Sequence, residues 1–161
     1  SLYELGVASE ASKDYDSAID YYTKMLRIRE DAEGFFSLGA CYLKKGMLQE
    51  AKRNLTKSLL LNAYKVSTYN NLGAVHERMG DYKEAIHVLE IGMKIEPANP
   101  AGAYNLGVAY AKSGNYGKAV ESFEKAVSLG HKNSDRIKKE AEKLKSMMDK
   151  LPGYKFTFNA G

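Results

Sequence analysis

The fold is decided by residues 104–123, which read YNLGVAYAKSGNYGKAVESF. In this stretch the Leu106-Gly107 pair is followed, twelve residues after the glycine, by Ala119. The same spacing occurs three more times, with successive Leu-Gly pairs 33, 34 and 34 residues apart: Leu5-Gly6 with Ala18, Leu38-Gly39 with Ala51, and Leu72-Gly73 with Ala85. Self-similarity at a fixed period of this length indicates a protein built from repeated structural units.

Other positions recur on the same grid. Tyr42 and Tyr110 follow their glycines by three residues, and Pro97 closes the third unit. An apolar or aromatic residue follows each alanine by four residues: Tyr22, Leu55, Leu89 and Phe123. This pattern resembles the tetratricopeptide repeat, a pair of antiparallel α-helices. The resemblance implies an all-α fold, a right-handed α-solenoid of helix pairs that forms a superhelix, with four repeats at residues 1–31, 32–65, 66–99 and 100–131.

The small residues and the turns fit this architecture. Glycine and alanine allow two helices of a pair to approach closely where they cross. Gly46, Gly80 and Gly114 lie where each first helix must end in a left-handed residue, whereas the first unit has Lys13 there and should end less favourably. Asp14, Asp81 and Asn115 suit the N-cap of the following helix. We predict helices at residues 2–12, 16–28, 33–45, 49–61, 67–79, 83–95, 101–113 and 117–129.

One amphipathic helix at residues 132–151 follows the repeats. Its apolar residues alternate at spacings of four and three: Ile137, Ala141, Leu144, Met148 and Leu151. Because a stack of repeats ends in an exposed apolar face, we predict that this helix caps the fourth unit. At the other end, Ser1 corresponds to the third position of a repeat, so we expect no N-terminal cap and expect that earlier residues are missing.

Residues 152–161 form a separate tail. Pro152-Gly153 should stop the capping helix, and Tyr154, Phe156 and Phe158 then alternate with Lys155 and Thr157. A period of two suits an extended segment with one aromatic face. We predict that this tail docks as a ligand mimic in the groove, either of the same chain or of a second molecule. Its reach favours the second molecule, which would make the chain self-associate.

Composition and charge narrow the class of protein. The 161 residues are 44% hydrophobic and hold no apolar run of the length that a membrane span needs. The single Cys41 cannot form an internal disulfide, which favours a reducing, cytoplasmic location. Its side chain should pack as a small core residue. Residues 131–161 hold eight Lys or Arg and four acids, which accounts for the net charge of +4. A basic helix could bind nucleic acid or a membrane, but interleaved glutamates favour a solvated face, so no nucleic acid is expected.

No pattern of residues suggests catalysis. His76, His87 and His131 fall on different helices or in a loop and lack partners at metal-ligand spacing. His76 takes the place of a tyrosine in other units and should be packed. We therefore expect no metal, no cofactor and no enzyme activity within this chain.

The resemblance places function in a concave groove lined by the first helix of each repeat. The expected peptide-binding residues combine aromatic anchors, amides, an apolar floor and a basic edge: Tyr3, Phe36, Ser37, Lys44, Asn70, Asn71, Ala74, Arg78, Tyr104, Asn105, Val108 and Lys112. The leading hypothesis is a protein–protein interaction adaptor that holds a segment of a partner. The alternative is a regulatory or targeting portion of a larger enzyme whose catalytic domain lies outside this chain.

Two subsets of the groove suggest particular ligands. An asparagine side chain can donate to and accept from one peptide unit, so Asn71 and Asn105 could hold an extended backbone. They are similar to the start of the asparagine row in the nucleocytoplasmic sugar transferases, although they could equally be solvated. The row Lys44, Arg78 and Lys112 favours an acidic or C-terminal carboxylate ligand, or is itself solvated. The dicarboxylate clamp of chaperone-binding members is absent, so chaperone tails are not expected.

Overall fold

A computed structural model describes residues 1–151, and within them every regular element is an α-helix. The helices are α1 Leu2–Ala11, α2 Tyr15–Ile28, α3 Ala32–Lys44, α4 Leu48–Leu61, α5 Val66–Arg78, α6 Tyr82–Ile95, α7 Pro100–Lys112, α8 Tyr116–Ser128 and α9 Ser134–Asp149. The bounds predicted for the first eight helices agree with these to within one residue. The predicted tail at residues 152–161 lies outside the described residues.

The helices end and begin at the left-handed and N-cap residues predicted from the sequence. Gly46, Gly80 and Gly114 have φ of 73°, 81° and 84°, and Lys13 has φ 61°, so the predicted left-handed positions are confirmed, including the unfavourable one. The Asp14 side chain accepts from the Ser17 N–H at 3.2 Å, which makes it the N-cap of α2. The expectation that the chain begins without an N-terminal cap is wrong for α1, which has Ser1 as its N-cap residue. Ser1 and Glu4 form a capping box there, because the serine hydroxyl accepts the Glu4 N–H.

The chain divides into two compact units. The first, Ser1–Asp81, contains the pairs α1–α2 and α3–α4 together with α5. Part of its core consists of Ala18, Tyr22, Leu26, Phe35, Leu38 and Cys41. The helices of a pair meet at glycine as predicted, since a Cβ at Gly39 would lie 2.7 Å from Leu55 Cγ. Cys41 is fully buried, which confirms its packing role. Burial raises its thiol pKa to about 12, with a contribution from Glu10, so the thiol stays protonated and unreactive.

The second unit begins at Tyr82 and contains α6–α9. Its α7–α8 pair crosses where Gly107 meets the Phe123 ring. The apolar face of α9 packs on α8, with Ile137, Ala141 and Met148 buried. This helix ends at Asp149 rather than at Leu151, which is exposed, so the predicted apolar stripe is one residue too long.

Candidate peptide-binding groove

In the first unit, the aromatic groove residues are held by neighbours from the same unit. The Tyr3 ring lies 6.0 Å from the Tyr22 ring, measured between centroids. The Phe36 ring is half-buried, and the Lys65 ammonium lies 4.4 Å from its centroid. Glu33 Oε2 lies 2.8 Å from the same ammonium and fixes its position. Phe36 therefore offers a partly exposed ring with a paired cation beside it.

Two of the expected groove residues are buried. Ser37 is 6% exposed and Asn70 is 7% exposed, so neither is available as an open contact surface in this structure. The Ser37 side chain lies beside the Tyr22 hydroxyl, whose hydrogen is accepted by Glu10. Burial raises the Tyr22 pKa well above its usual range, and Glu10 adds to the effect. Ser37 therefore belongs to an internal polar cluster.

Farther along the same unit, Asn71 and Ala74 remain half-buried and accessible. His76 is buried, as predicted, with its Nδ1 3.9 Å from Asp81 Oδ2. These positions lie on α5. Of the two neighbouring asparagines, Asn70 is buried, so Asn71 is the one that a ligand can contact.

Arg78, one of the three basic residues predicted to line the groove, makes a hydrogen bond that the sequence did not reveal. Arg78 Nη1 donates to the Leu43 carbonyl over 3.2 Å, at the C-terminal end of α3. A cation at this end of a helix is favoured by the helix dipole. Lys44, the next residue after Leu43, is exposed. Arg78 therefore ties α5 to the end of α3 as well as placing a cation beside Lys44.

In the second unit, Tyr104 and Val108 open into a surface depression of about 340 Å³ between α7 and α9. We call it the α7–α9 depression. It is lined by Tyr104, Val108, Ala111, Lys112, Phe123, Glu140, Lys143, Leu144 and Met147. The Tyr104 ring lies 5.8 Å from the Phe123 ring, and Arg136 Nη2 donates to its hydroxyl over 3.4 Å. The predicted groove residues Tyr104, Val108 and Lys112 are brought together here, while Asn105 is half-buried on the same helix.

The α9 side of this depression was not predicted. Glu140, Lys143, Leu144 and Met147 come from the helix that the sequence presented only as a cap. They are spaced i, i+3, i+4 and i+7, which places them on one face of a helix beside the packed stripe of Ile137, Ala141 and Met148. Their spacing was therefore a usable signal. The charged rim of the depression consists of Lys112, Glu140 and Lys143.

In the part of the chain that the structure describes, the helices are neither long nor apolar enough to cross a membrane. Within the same residues, no three His, Cys, Asp or Glu side chains are grouped as metal ligands would be. The fold and the candidate groove together define a helical repeat protein built from antiparallel pairs.

Family models for the tetratricopeptide repeat match residues 1–34, 32–64, 66–99 and 100–133. The chain belongs to the tetratricopeptide repeat family, whose members are generally non-catalytic scaffolds for protein interaction. The fold class is therefore the all-α solenoid type predicted from the sequence.

Several solved structures share this fold. YrrB, a tetratricopeptide protein with an unusual peptide-binding site, is 25% identical with a TM-score of 0.77, covering 88% of this chain and 73% of its own. MamA is 25% identical with a TM-score of 0.76, covering 92% and 82%. TTC0263, a thermophilic tetratricopeptide protein from Thermus thermophilus, is 23% identical with a TM-score of 0.76, covering 91% and 81%.

Proposed function

We propose that this chain is an adaptor, without catalytic activity of its own, that binds a peptide segment of a partner protein. The α7–α9 depression carries this proposal, because its floor of Tyr104, Val108, Phe123 and Leu144 suits an apolar or aromatic side chain. The charged rim has two lysines against one glutamate. A peptide with a carboxylate next to its anchor residue fits it best. The peptide-binding site of YrrB supports peptide binding as the mode.

The test begins with selection of peptides on the full chain by display, followed by calorimetry. Lys143→Glu reverses a rim charge and Met147→Ser removes an apolar wall, so each should weaken the selected peptides about tenfold. Lys138→Glu is the matched control, because Lys138 lies on α9 but does not line the depression. Equal affinities for all four proteins would refute binding at this site.

The asparagine pair makes a second contribution. Asn71 in the first unit and Asn105 in the second are half-buried, and we propose that the amide of each can bond a peptide backbone. Replacing both by Ala should weaken a bound peptide by roughly 1–3 kcal/mol and leave the thermal melt nearly unchanged. If calorimetry gave the same affinity for the double variant, the amides would not hold the backbone.

In the first unit, Lys44 and Arg78 are the proposed contacts for acidic residues of the ligand, with Lys112 serving the same purpose in the second. Arg78 uses one N–H for the Leu43 carbonyl, and its guanidinium carries five N–H donors in all. Its role in holding α3 predicts that Arg78→Lys loses stability as well as affinity, whereas Lys44→Gln loses affinity only.

The tail supplies a candidate ligand from the chain itself. Tyr154, Phe156 and Phe158 lie outside the described residues, but the floor of the α7–α9 depression, which includes Tyr104 and Phe123, suits an aromatic side chain. We propose that the tail occupies this depression in a second molecule. Light scattering should then give a rising mass with concentration for the full chain and a constant mass for a chain ending at Leu151. Equal masses throughout would exclude self-association by the tail.

The second function to test is a regulatory or targeting portion of a larger enzyme. Non-catalytic repeats of this family serve equally well in either setting. The full-length open reading frame separates the two: a catalytic domain joined to these repeats would favour the second, and repeats alone would favour the adaptor.

A further inference from the structure

The first unit carries an exposed apolar surface outside the candidate groove. Two shallow depressions of about 390 and 160 Å³ lie side by side at the C-terminal ends of α2 and α4. Phe35 and Glu30 line both of them. We call this surface the α2–α4 patch, defined by Ile28, Glu30, Phe35, Leu60 and Leu61. None of these residues belongs to the predicted groove.

Three apolar side chains of this patch are exposed, whereas Phe35 at its centre is buried. Ile28 is 80% exposed, Leu60 is 81% exposed and Leu61 is 54% exposed. The repeat does not require an apolar residue at position 60. Leu60 lies nine residues after the repeated alanine of its unit, and the same position in the other three units holds Arg27, Lys94 and Ser128. Clustered exposed apolar side chains rimmed by charge are typical of an interaction surface.

The charges around the patch are mostly positive. Arg27 and Arg29 line the larger depression, and Lys57 lines the smaller one. The Lys57 ammonium lies 5.2 Å from the centroid of the Phe35 ring, at the centre of the patch. Glu30 is the one acidic residue that lines either depression. The surroundings therefore complement a negatively charged partner.

We propose that the α2–α4 patch binds an acidic amphipathic helix of another protein. Two depressions that share Phe35 and Glu30 as a wall can take two apolar side chains from one face of a helix, such as those at i and i+4. Glutamate or aspartate residues flanking those anchors would face Arg27, Arg29 and Lys57. The site is separate from the proposed peptide groove and would let one adaptor bind two partners.

The experiment uses synthetic helical peptides as probes. Each carries two leucines at i and i+4 flanked by glutamates, and a matched set has lysine in place of every glutamate. Fluorescence anisotropy on the full chain should show binding of the acidic set at low salt and much weaker binding of the basic set. Leu60→Ser and Arg27→Glu should each weaken the acidic peptides about tenfold. Both positions are exposed, so circular dichroism should confirm unchanged helicity.

Tyr64→Ser is the matched control, because Tyr64 is also 80% exposed but lines neither depression. Lys143→Glu, which tests the groove, should leave the acidic helices bound. The proposal is overturned if neither peptide set binds, if both sets bind alike, or if Leu60→Ser and Tyr64→Ser have the same effect. It is also overturned if the wild-type chain dimerises and Leu60→Ser abolishes the dimer, because the occupant would then be a second copy.

Discussion

The Tyr104 ring lies against the His131 imidazole, with 5.2 Å between the ring centroids. Tyr104 is a wall of the α7–α9 depression, and His131 lies in the turn that leads into α9. His131 Nδ1 also accepts the Asn133 N–H at 3.0 Å. One imidazole therefore links the entry to the capping helix with an aromatic anchor of the candidate groove.

This contact predicts a pH-dependent stability. Burial lowers the His131 pKa, and the positive charges of Lys132 and Arg136 add to the effect. Because the folded-state pKa is below the unfolded value of about 6.5, the unfolded chain binds the proton more readily. The contribution of His131 is therefore present above that value and is lost as pH falls below it. Protonation at Nδ1 would also remove the acceptor for Asn133.

The measurement is a set of thermal melts across the range from about pH 7.5 to 5.5. The wild-type chain should lose more stability on acidification than His131→Gln. His87→Gln is the control for removing an exposed histidine. Parallel pH profiles for the wild type and His131→Gln would show that protonation of His131 is not linked to folding.

The packing of α9 can be tested at a single side chain. Ile137 is fully buried in the cluster that contains Phe123 and Ala126. Ile137→Ala should cost about 2–4 kcal/mol, because it leaves a cavity as well as removing apolar burial. Because a repeat depends on its neighbours, hydrogen exchange should speed up mainly in α7 and α8. Lys138→Ala removes an exposed neighbour, and equal exchange in the two variants would contradict a capping role for α9.

The close approach at Gly39 predicts a coupled pair of substitutions. A Cβ there would lie 2.7 Å from Leu55 Cγ and 3.2 Å from the Leu55 backbone nitrogen. Gly39→Ala should therefore cost about 1–3 kcal/mol through overpacking. In a Leu55→Ala background the clash with the side chain is gone, so the added cost of Gly39→Ala should shrink. A double-mutant cycle in urea measures the coupling, and strict additivity would place the strain elsewhere.

The helices were predictable because the residues that start and stop a helix recur along the chain together with the apolar pattern. Leu-Gly pairs recur at fixed offsets in all four units, and left-handed glycines and N-cap residues recur in most of them. The period therefore locates even α4 and α5, which begin after Met47 and Lys65 without a side-chain cap. The functional surfaces were less predictable. The bond from Arg78 to the Leu43 carbonyl joins different helices, and its existence depends on a side-chain direction that the period does not encode.

The burial of Ser37 and Asn70 was also not predictable from the repeat pattern. Their positions in the repeat predicted an open groove, but both side chains are buried, and Ser37 lies beside the Tyr22 hydroxyl. In α9, Leu144 was assigned to the packed stripe but also lines the α7–α9 depression, and Glu140, Lys143 and Met147 on the same helical face were not interpreted. Periodicity identifies which face of a helix is packed. It does not show which neighbour completes a surface.

The last prediction concerns Lys13, the one described residue other than glycine with a positive φ. At φ 61° its Cβ is strained, whereas the corresponding places in the next three units hold glycine. Lys13→Gly should therefore raise the free energy of unfolding by about 1 kcal/mol, since the relief of strain exceeds the extra flexibility of glycine in the unfolded chain. Ser12→Gly is the matched control: Ser12 has φ −85°, so the substitution there should be neutral or destabilising. Urea unfolding of the wild type and the two variants decides the point. A loss of stability in Lys13→Gly equal to that in Ser12→Gly would mean that the left-handed turn after α1 stores no strain.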